Sequence, residues 1–311
     1  MSYYIGVDIG GTNIKTGVVN EEGLLISEAS IPTGADRPQD VVLQDIIGAV
    51  RSSIEGAKID PKEIKAAGMG SPGMIDTEKG IVVYNNNLGW RDFYIGPKMS
   101  EAFNVPVRLE NDADAAALGE VVAGSAKGAR SAMIITLGTG VGTGFVINEK
   151  IFSGCEFGHM VIAYGGRKCT CGRHGCFEAY CSATGLINMT KEAIEEHPNG
   201  TLAEIAKTEG LVSGHTVFAA ADQGDAVAIN IIDEYTGYLA CGLANLINGL
   251  QPEVVSIGGG IGKQGERLLV PLREKVNAEV YPGITPSKIV SCTLGYKAGL
   301  IGAAMAGKGI L

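Results

Sequence analysis

Residues 3–9 and 14–19 are uncharged but for two positions and rich in Ile, Val and Tyr; Gly10-Gly11-Thr12-Asn13 separates them and Asn20-Glu21-Glu22-Gly23 follows. Short apolar runs bounded by turn residues predict a β-hairpin. The arrangement returns 128 residues later: Met133 to Leu137, the glycine run Gly138 to Gly144, Phe145 to Ile147, then Asn148-Glu149. Gly10 falls on Gly138 and Asn20-Glu21 on Asn148-Glu149. A repeat of half the chain predicts two related α/β halves, each opening with a hairpin, with ligand between the two glycine turns.

Elsewhere helical and strand periods alternate. Helices are predicted at 39–56, from about Ala113, and near 186–196, 226–249 and 265–279; strands at 64–70, 105–109, 254–257 and 288–293. The small, apolar segment Ala298 to Ala306 is expected to pack as a helix against the first half. The expected domains are 1–116 plus 297–311, and 117–296.

Of 311 residues 46 are glycine and 11 proline, a joint share below the roughly 25–30% that marks low complexity. Lys and Arg number 25 against 34 Asp and Glu, for a net charge of −9, and no basic cluster traces a polyanion track, which argues against nucleic acid as main partner. No stretch matches the roughly 20 apolar residues of a membrane span, and the opening Met1-Ser2-Tyr3-Tyr4-Ile5 lacks a signal-peptide pattern. A cytoplasmic protein is expected.

Three loops offer glycine backbone to phosphate: Asp8-Ile9-Gly10-Gly11-Thr12-Asn13 with Lys15 beyond it, Gly138-Thr139-Gly140 and the residues after it, and Gly258-Gly259-Gly260-Ile261-Gly262. Without a Cβ, successive N–H groups can close on phosphate oxygens. A lone glycine loop is more often a plain turn; three, two of them repeat-related, favour nucleotide. A carboxylate at Asp8 would repel phosphate unless a cation lay between, which points to Mg²⁺. Gly302 to Lys308 imitates a P-loop, but Gly309 stands where Ser or Thr is required. Gly260 to Gly265 fits a dinucleotide fingerprint without the βαβ start that would support it, so a dehydrogenase is set aside.

Cys169-Thr170-Cys171-Gly172-Arg173-His174-Gly175-Cys176 places three thiols within eight residues. Three thiolates and an imidazole complete a closed tetrahedral Zn²⁺ site. His174, inside the same short loop, is poorly placed to reach the metal, so His159, ten residues before Cys169, is the expected fourth ligand. The closed site would position Glu156 and Glu178 instead of performing chemistry. At Glu110-Asn111-Asp112-Ala113, a strand is expected to run into an alanine-rich helix. Asp112 at its N-terminus would stay ionised beside the helix dipole and accept a hydroxyl proton during phosphoryl transfer. Asp114 is expected to be solvated.

Asp8-Ile-Gly-Gly-Thr, Glu110-Asn-Asp-Ala, Leu137-Gly-Thr-Gly-Val-Gly, Glu156-Phe-Gly-His159 and the cysteine run ending at Glu178 together resemble the ROK family of sugar kinases and related repressors. The resemblance implies an actin-like, ribonuclease H-like ATPase fold of two α/β domains, with ATP and sugar in the interdomain cleft, and transfer of the γ-phosphoryl of Mg·ATP to a hexose hydroxyl. It implies Asp112 as catalytic base, Asn111, Glu156, His159 and Glu178 on sugar hydroxyls, and His159, Cys169, Cys171 and Cys176 on zinc. Asn87, in Asn85-Asn86-Asn87-Leu88-Gly89-Trp90, is a further implied sugar contact, with Gly73 beside it. That stretch resembles the family's glucokinases, so glucose leads over N-acetylmannosamine, fructose and allose; a homodimer is also implied. Cys155 alone stands where the family usually carries several residues before the Glu-x-Gly-His motif. The family's repressors carry an added DNA-binding module for which no room is seen before Tyr3, so a sugar-sensing regulator is the second reading.

Overall fold

The computed structural model describes residues 1–311 except Asn87. The chain divides by contacts into two compact units, one of Met1–Ile134, Gly144–Ser153 and Thr293–Leu311, the other of Ile135–Thr143 and Gly154–Cys292.

In the first unit, strands β1 (Tyr3–Ile9), β2 (Asn13–Asn20) and β3 (Leu25–Pro32) form an antiparallel meander. Helix α1 (Gln39–Ala57) packs on it through Val42, Leu43, Ile46 and Val50, all buried. Strand β4 (Ile64–Ser71) lies parallel to β1, a small sheet of β5 (Met74–Asp76), β6 (Ile81–Asn85) and β7 (Trp90–Phe93) follows, and then α2 (Ile95–Phe103). Strand β8 (Val107–Asn111), parallel to β4, leads directly into α3 (Asp112–Ala123), giving the sheet order β3-β2-β1-β4-β8. The division expected after Ala116 falls inside α3.

Strands β9 (Ser131–Leu137), β10 (Val141–Ile147), β11 (Lys150–Ile151), β12 (Val254–Gly258) and β13 (Lys288–Ser291) make the second five-stranded sheet in the order β11-β10-β9-β12-β13. Each strand of the first sheet has its counterpart, and β1 and β9 keep the 128-residue offset at both ends. The repeat read from the glycine turns is therefore a repeat of topology. Strand β10 begins at Val141 and not near Phe145, so only Gly138, Thr139 and Gly140 form the turn. Gly144 sits in the strand, where a Cβ would lie 2.9 Å from the Ala113 carbonyl oxygen on α3.

The helices of the second unit are the short α4 (Phe177–Cys181), then α5 (Ala183–Glu196), α6 (Thr201–Glu209), α7 (Thr216–Asp222), the long α8 (Ala226–Leu250), the short α9 (Gly259–Gly262) and α10 (Glu266–Glu279). The last helix, α11 (Lys297–Lys308), returns to the first unit and packs on α3, β1 and β4, as its small residues foretold. The chain enters it at a buried anchor: the Glu120 carboxylate accepts the N–H groups of Ser125 (2.8 Å), Thr293 (3.0 Å) and Leu294 (2.9 Å).

Candidate active site

The β1–β2 turn closes tightly, with Gly10 N–H donating to the Asn13 carbonyl at 3.0 Å and the Thr33 hydroxyl donating to the Gly10 carbonyl at 2.6 Å. Gly11, Thr12 and Asn13 are exposed at its tip. Asp8 is level with Lys15 across the hairpin and with Gly70 on β4, which in turn is level with Glu110 on β8. Lys15 Nζ lies 4.0 Å from Asp8 Oδ2 and 5.0 Å from the centre of the Tyr296 ring. Burial raises the Asp8 carboxyl to about 6; Lys15 pulls it down and Asp112 pushes it further up. Room for this carboxylate depends on Gly299 of α11, where a Cβ would come within 3.0 Å of it.

Asn111 caps α3, its Oδ1 accepting from the N–H groups of Ala113 (2.8 Å) and Asp114 (3.4 Å). This arrangement turns the β8 strand into the helix and directs the next side chain, Asp112, off the first turn. Asp112 Oδ1 accepts from Ala113 N–H at 2.9 Å. Its carboxyl is nonetheless raised above the ordinary value, because burial outweighs the backbone N–H groups at the helix start. Burial thus works against the helix-start N–H groups, and the raised value makes Asp112 a stronger proton acceptor than a free carboxylate. Asp114 is buried at 7% exposure, against the expectation that it is solvated; it lies on the same inward stretch of α3 as Ala115, Ala117 and Leu118. Gly73 has φ +102°, with space for a Cβ denied by the Tyr84 carbonyl oxygen. Nearby, Asn85 Nδ2 donates to the Pro72 carbonyl at 2.7 Å and Asn85 Oδ1 accepts from Leu88 N–H at 3.1 Å. Asn87 lies outside the described residues.

In the second unit, the 3₁₀ turn Phe157–His159 lies against the start of β10, with Gly158 leaving no room for a Cβ beside the Val141 carbonyl. Close approach is what the glycine of Glu-x-Gly-His provides. The cysteine segment folds back on itself: Gly172 N–H donates to the Cys169 carbonyl at 3.0 Å, Cys169 N–H to the Arg173 carbonyl at 2.8 Å, and Lys168 pairs with His174 as a β-bridge. The ligand atoms of His159, Cys169, Cys171 and Cys176 then lie within 4.8 Å of one another. Cys169 Sγ is 3.6 Å from His159 Nδ1, and Cys171 Sγ is 3.7 Å from Cys176 Sγ. Sulfur at about 2.3 Å and nitrogen at about 2.0–2.1 Å around a tetrahedral cation stand about 3.6–3.8 Å apart, so the donor set fits one ion. Burial and the neighbouring thiols push Cys176 up to about 12, so a cation is needed to make it a thiolate near neutral pH. His174 lies outside this group.

Glu178, in the first turn of α4, ties two loops together. Its Oε1 accepts from the Thr170 hydroxyl at 3.0 Å and its Oε2 from Val141 N–H at 3.1 Å. Glu156 is exposed at the head of the 3₁₀ turn. The Gly138–Gly140 turn is held by Gly138 N–H on the Gly140 carbonyl (3.0 Å) and Ala183 N–H on the Gly138 carbonyl (2.7 Å). Gly259, at φ +81°, packs against the backbone of Leu137, so the third glycine loop abuts the end of β9 just before that turn; Gly258 and Gly260 flank it. Among the residues sequence reasoning passes over, Thr170 and Tyr296 touch assigned side chains; Thr170 is the variable position of the Cys-x-Cys run and Tyr296 stands outside any motif, so no signal marks either.

The sequence matches the ROK family over residues 4–309. The chain belongs to the ROK family. The protein named glucokinase from Halalkalibacterium halodurans is 38% identical over 307 residues, covering 96% of this chain and 93% of that protein. Among solved structures, a ROK family glucokinase from Streptomyces griseus in complex with glucose and AMPPNP superposes with a TM-score of 0.78 at 33% identity, covering 99% of this chain and 100% of that one. A ROK hexokinase from Thermus thermophilus reaches 0.85 at 30% identity, covering 99% and 98%. The two sheets of this ROK protein are those of an actin-like ATPase fold.

Proposed function

We propose that this ROK protein is an ATP-dependent hexose kinase acting on glucose. The observation that carries the reading is Asp112, on the first turn of α3, close enough to Asp8 for its charge to push the Asp8 carboxyl up. The sugar hydroxyl attacks the γ-phosphorus of ATP, the bond from that phosphorus to the β–γ bridging oxygen breaks, ADP leaves, and the hydroxyl proton passes to Asp112. Around the turns closed by Gly10 and Gly138, the N–H groups of Gly11 to Asn13 and of Thr139 and Gly140, with Gly258 to Gly260 and the Lys15 ammonium, hold the nucleotide. Asp8, a half-buried carboxylate with the Lys15 ammonium no nearer than 4.0 Å, suits Mg²⁺, which when bound would offset phosphate charge.

Asn111 spends its oxygen on the α3 cap, so its Nδ2 is the group available to a sugar oxygen. Glu156 and Glu178 accept from sugar hydroxyls, and His159 donates through Nε2 while Nδ1 faces the thiols. Gly73 and Asn87 complete the sugar contacts. Zn²⁺ on His159, Cys169, Cys171 and Cys176 supplies a closed structural tie that holds the His159 turn to the cysteine segment. The fit of the ligand spacing to a tetrahedral ion supports this part of the reading.

The test is ADP release with a hexose panel of glucose, N-acetylmannosamine, fructose and allose. Glucose should show the highest kcat/KM, and Asp112→Asn should lower kcat by about 10²–10⁴-fold with glucose binding still measurable by calorimetry. Equal loss of binding and turnover would remove Asp112 from the role of base. DNA retention at low salt without sugar-dependent ADP release would instead mark a regulator.

A further inference from the structure

Glu178 is held on both oxygens from two different loops. Oε2 takes the Val141 N–H at the start of β10, and the adjoining Gly140 gives it space, since a Cβ there would lie 2.3 Å from that oxygen. Oε1 takes the Thr170 hydroxyl at 3.0 Å, and the Cys169 thiol stands 3.7 Å from the same oxygen. Thr170 lies between two members of the cysteine cluster without being one of the four, and its hydroxyl, 3.0 Å from the Glu178 oxygen, stands farther from the Cys169 thiol, at 4.0 Å. Its side chain is exposed, while the carboxylate it meets is half-buried.

We propose that Thr170 is a positioning residue for sugar binding: its hydroxyl aims the Glu178 carboxylate. The inference rests on the reading of Glu178 as a sugar ligand. Val141 N–H alone restrains one oxygen and leaves the carboxylate free to rotate about its Cγ–Cδ bond; a second donor on the other oxygen removes that freedom. A carboxylate already oriented loses less entropy when it accepts from a hydroxyl, so the effect belongs in substrate affinity. Hydrogen bonds to charged groups are among the stronger kinds, so loss of this one is expected to be measurable even near solvent.

Thr170→Val puts a methyl where the hydroxyl stands and leaves no cavity for a replacing water. In the full chain loaded with zinc, the KM for glucose should rise about ten-fold while kcat and the KM for ATP stay within about two-fold. Thr170→Ser, which keeps the donor, should restore the glucose KM. Zinc content by atomic absorption is measured on each variant, with Thr170→Ala as a second probe should the valine lower it. An unchanged glucose KM in zinc-replete Thr170→Val overturns the proposal. So does zinc loss in both Val and Ala variants, because the hydroxyl would then serve the metal loop, and so does failure of the serine to rescue. Glu178→Gln run in parallel separates the two readings: if it leaves the glucose KM unchanged, Glu178 is not a sugar ligand and the proposed function of that residue fails first. A raised KM in Glu178→Gln with none in Thr170→Val sinks the present inference alone.

Discussion

Asp8 shows how a single side chain trades stability against chemistry. Its carboxyl is held at about 6, against an ordinary value of 3.8, chiefly by burial. Between those values the folded chain carries a proton that the unfolded chain has released, so folding stability is highest below the unfolded value and falls as pH rises through the folded one. The shift corresponds to about 2–3 kcal/mol. Asp8→Asn should therefore melt later in urea than the parent at pH 7–8, by about that amount, with the gap closing below pH 4; a gap independent of pH contradicts the burial argument. The same variant should lose turnover, because neutral amide does not attract Mg²⁺. At this level the reading from residue types was uneven. Asp8 and the four members of the cysteine cluster stood out because their chemistry is tied to spacing. Asp114 was misjudged, since which face of a helix points inward depends on what packs there.

The helix α11 illustrates what an element owes to its neighbours. Gly302 meets the Ala115 carbonyl of α3, where a Cβ would sit 1.7 Å from the oxygen, and Gly6 and Gly68 on β1 and β4 face α11 backbone in the same way. The glycines allow helix and sheet to approach at backbone distance, which places Gly299 beside Asp8. Gly302→Ala gains helix propensity, worth about 1 kcal/mol, yet is expected to destabilise by about 1–3 kcal/mol or more through overpacking. Urea midpoints decide between the two signs, and a stabilised variant would show that α11 shifts freely. Regular elements with strong periods were legible: β1, β2, α1, β4, α8, β12 and α11 lie where the pattern put them. The small sheet β5-β6-β7, with α2, α6 and α7, was not, because its strands are three to five residues long and the helices only seven to nine, too brief for a period to be told from chance.

For the whole molecule, the repeat and the metal cluster matter most. Two sheets with corresponding strand orders carry glycine turns at corresponding places, and among the described residues no helix is long and apolar enough to cross a membrane. The cysteine cluster joins segments ten residues apart in sequence, so its ion should be bound in a one-to-one ratio with the chain. Removal by a strong chelator is expected to raise the glucose KM and to lower the melting temperature, with both recovered on adding Zn²⁺; full activity in metal-free protein would count against a zinc tie. The hairpin repeat, the clustering of His159 with the three cysteines and the acid at a helix start were all determined by the order of residues, because each depends on short-range geometry or on donor chemistry. Folding alone decided the direction in which Asp8 and Asp112 shift, the burial of Asp114 and the grip of Thr170 and Val141 on Glu178. Desolvation and side-chain contact come from atoms that lie far along the chain or are unmarked by type, and only packing brings them together.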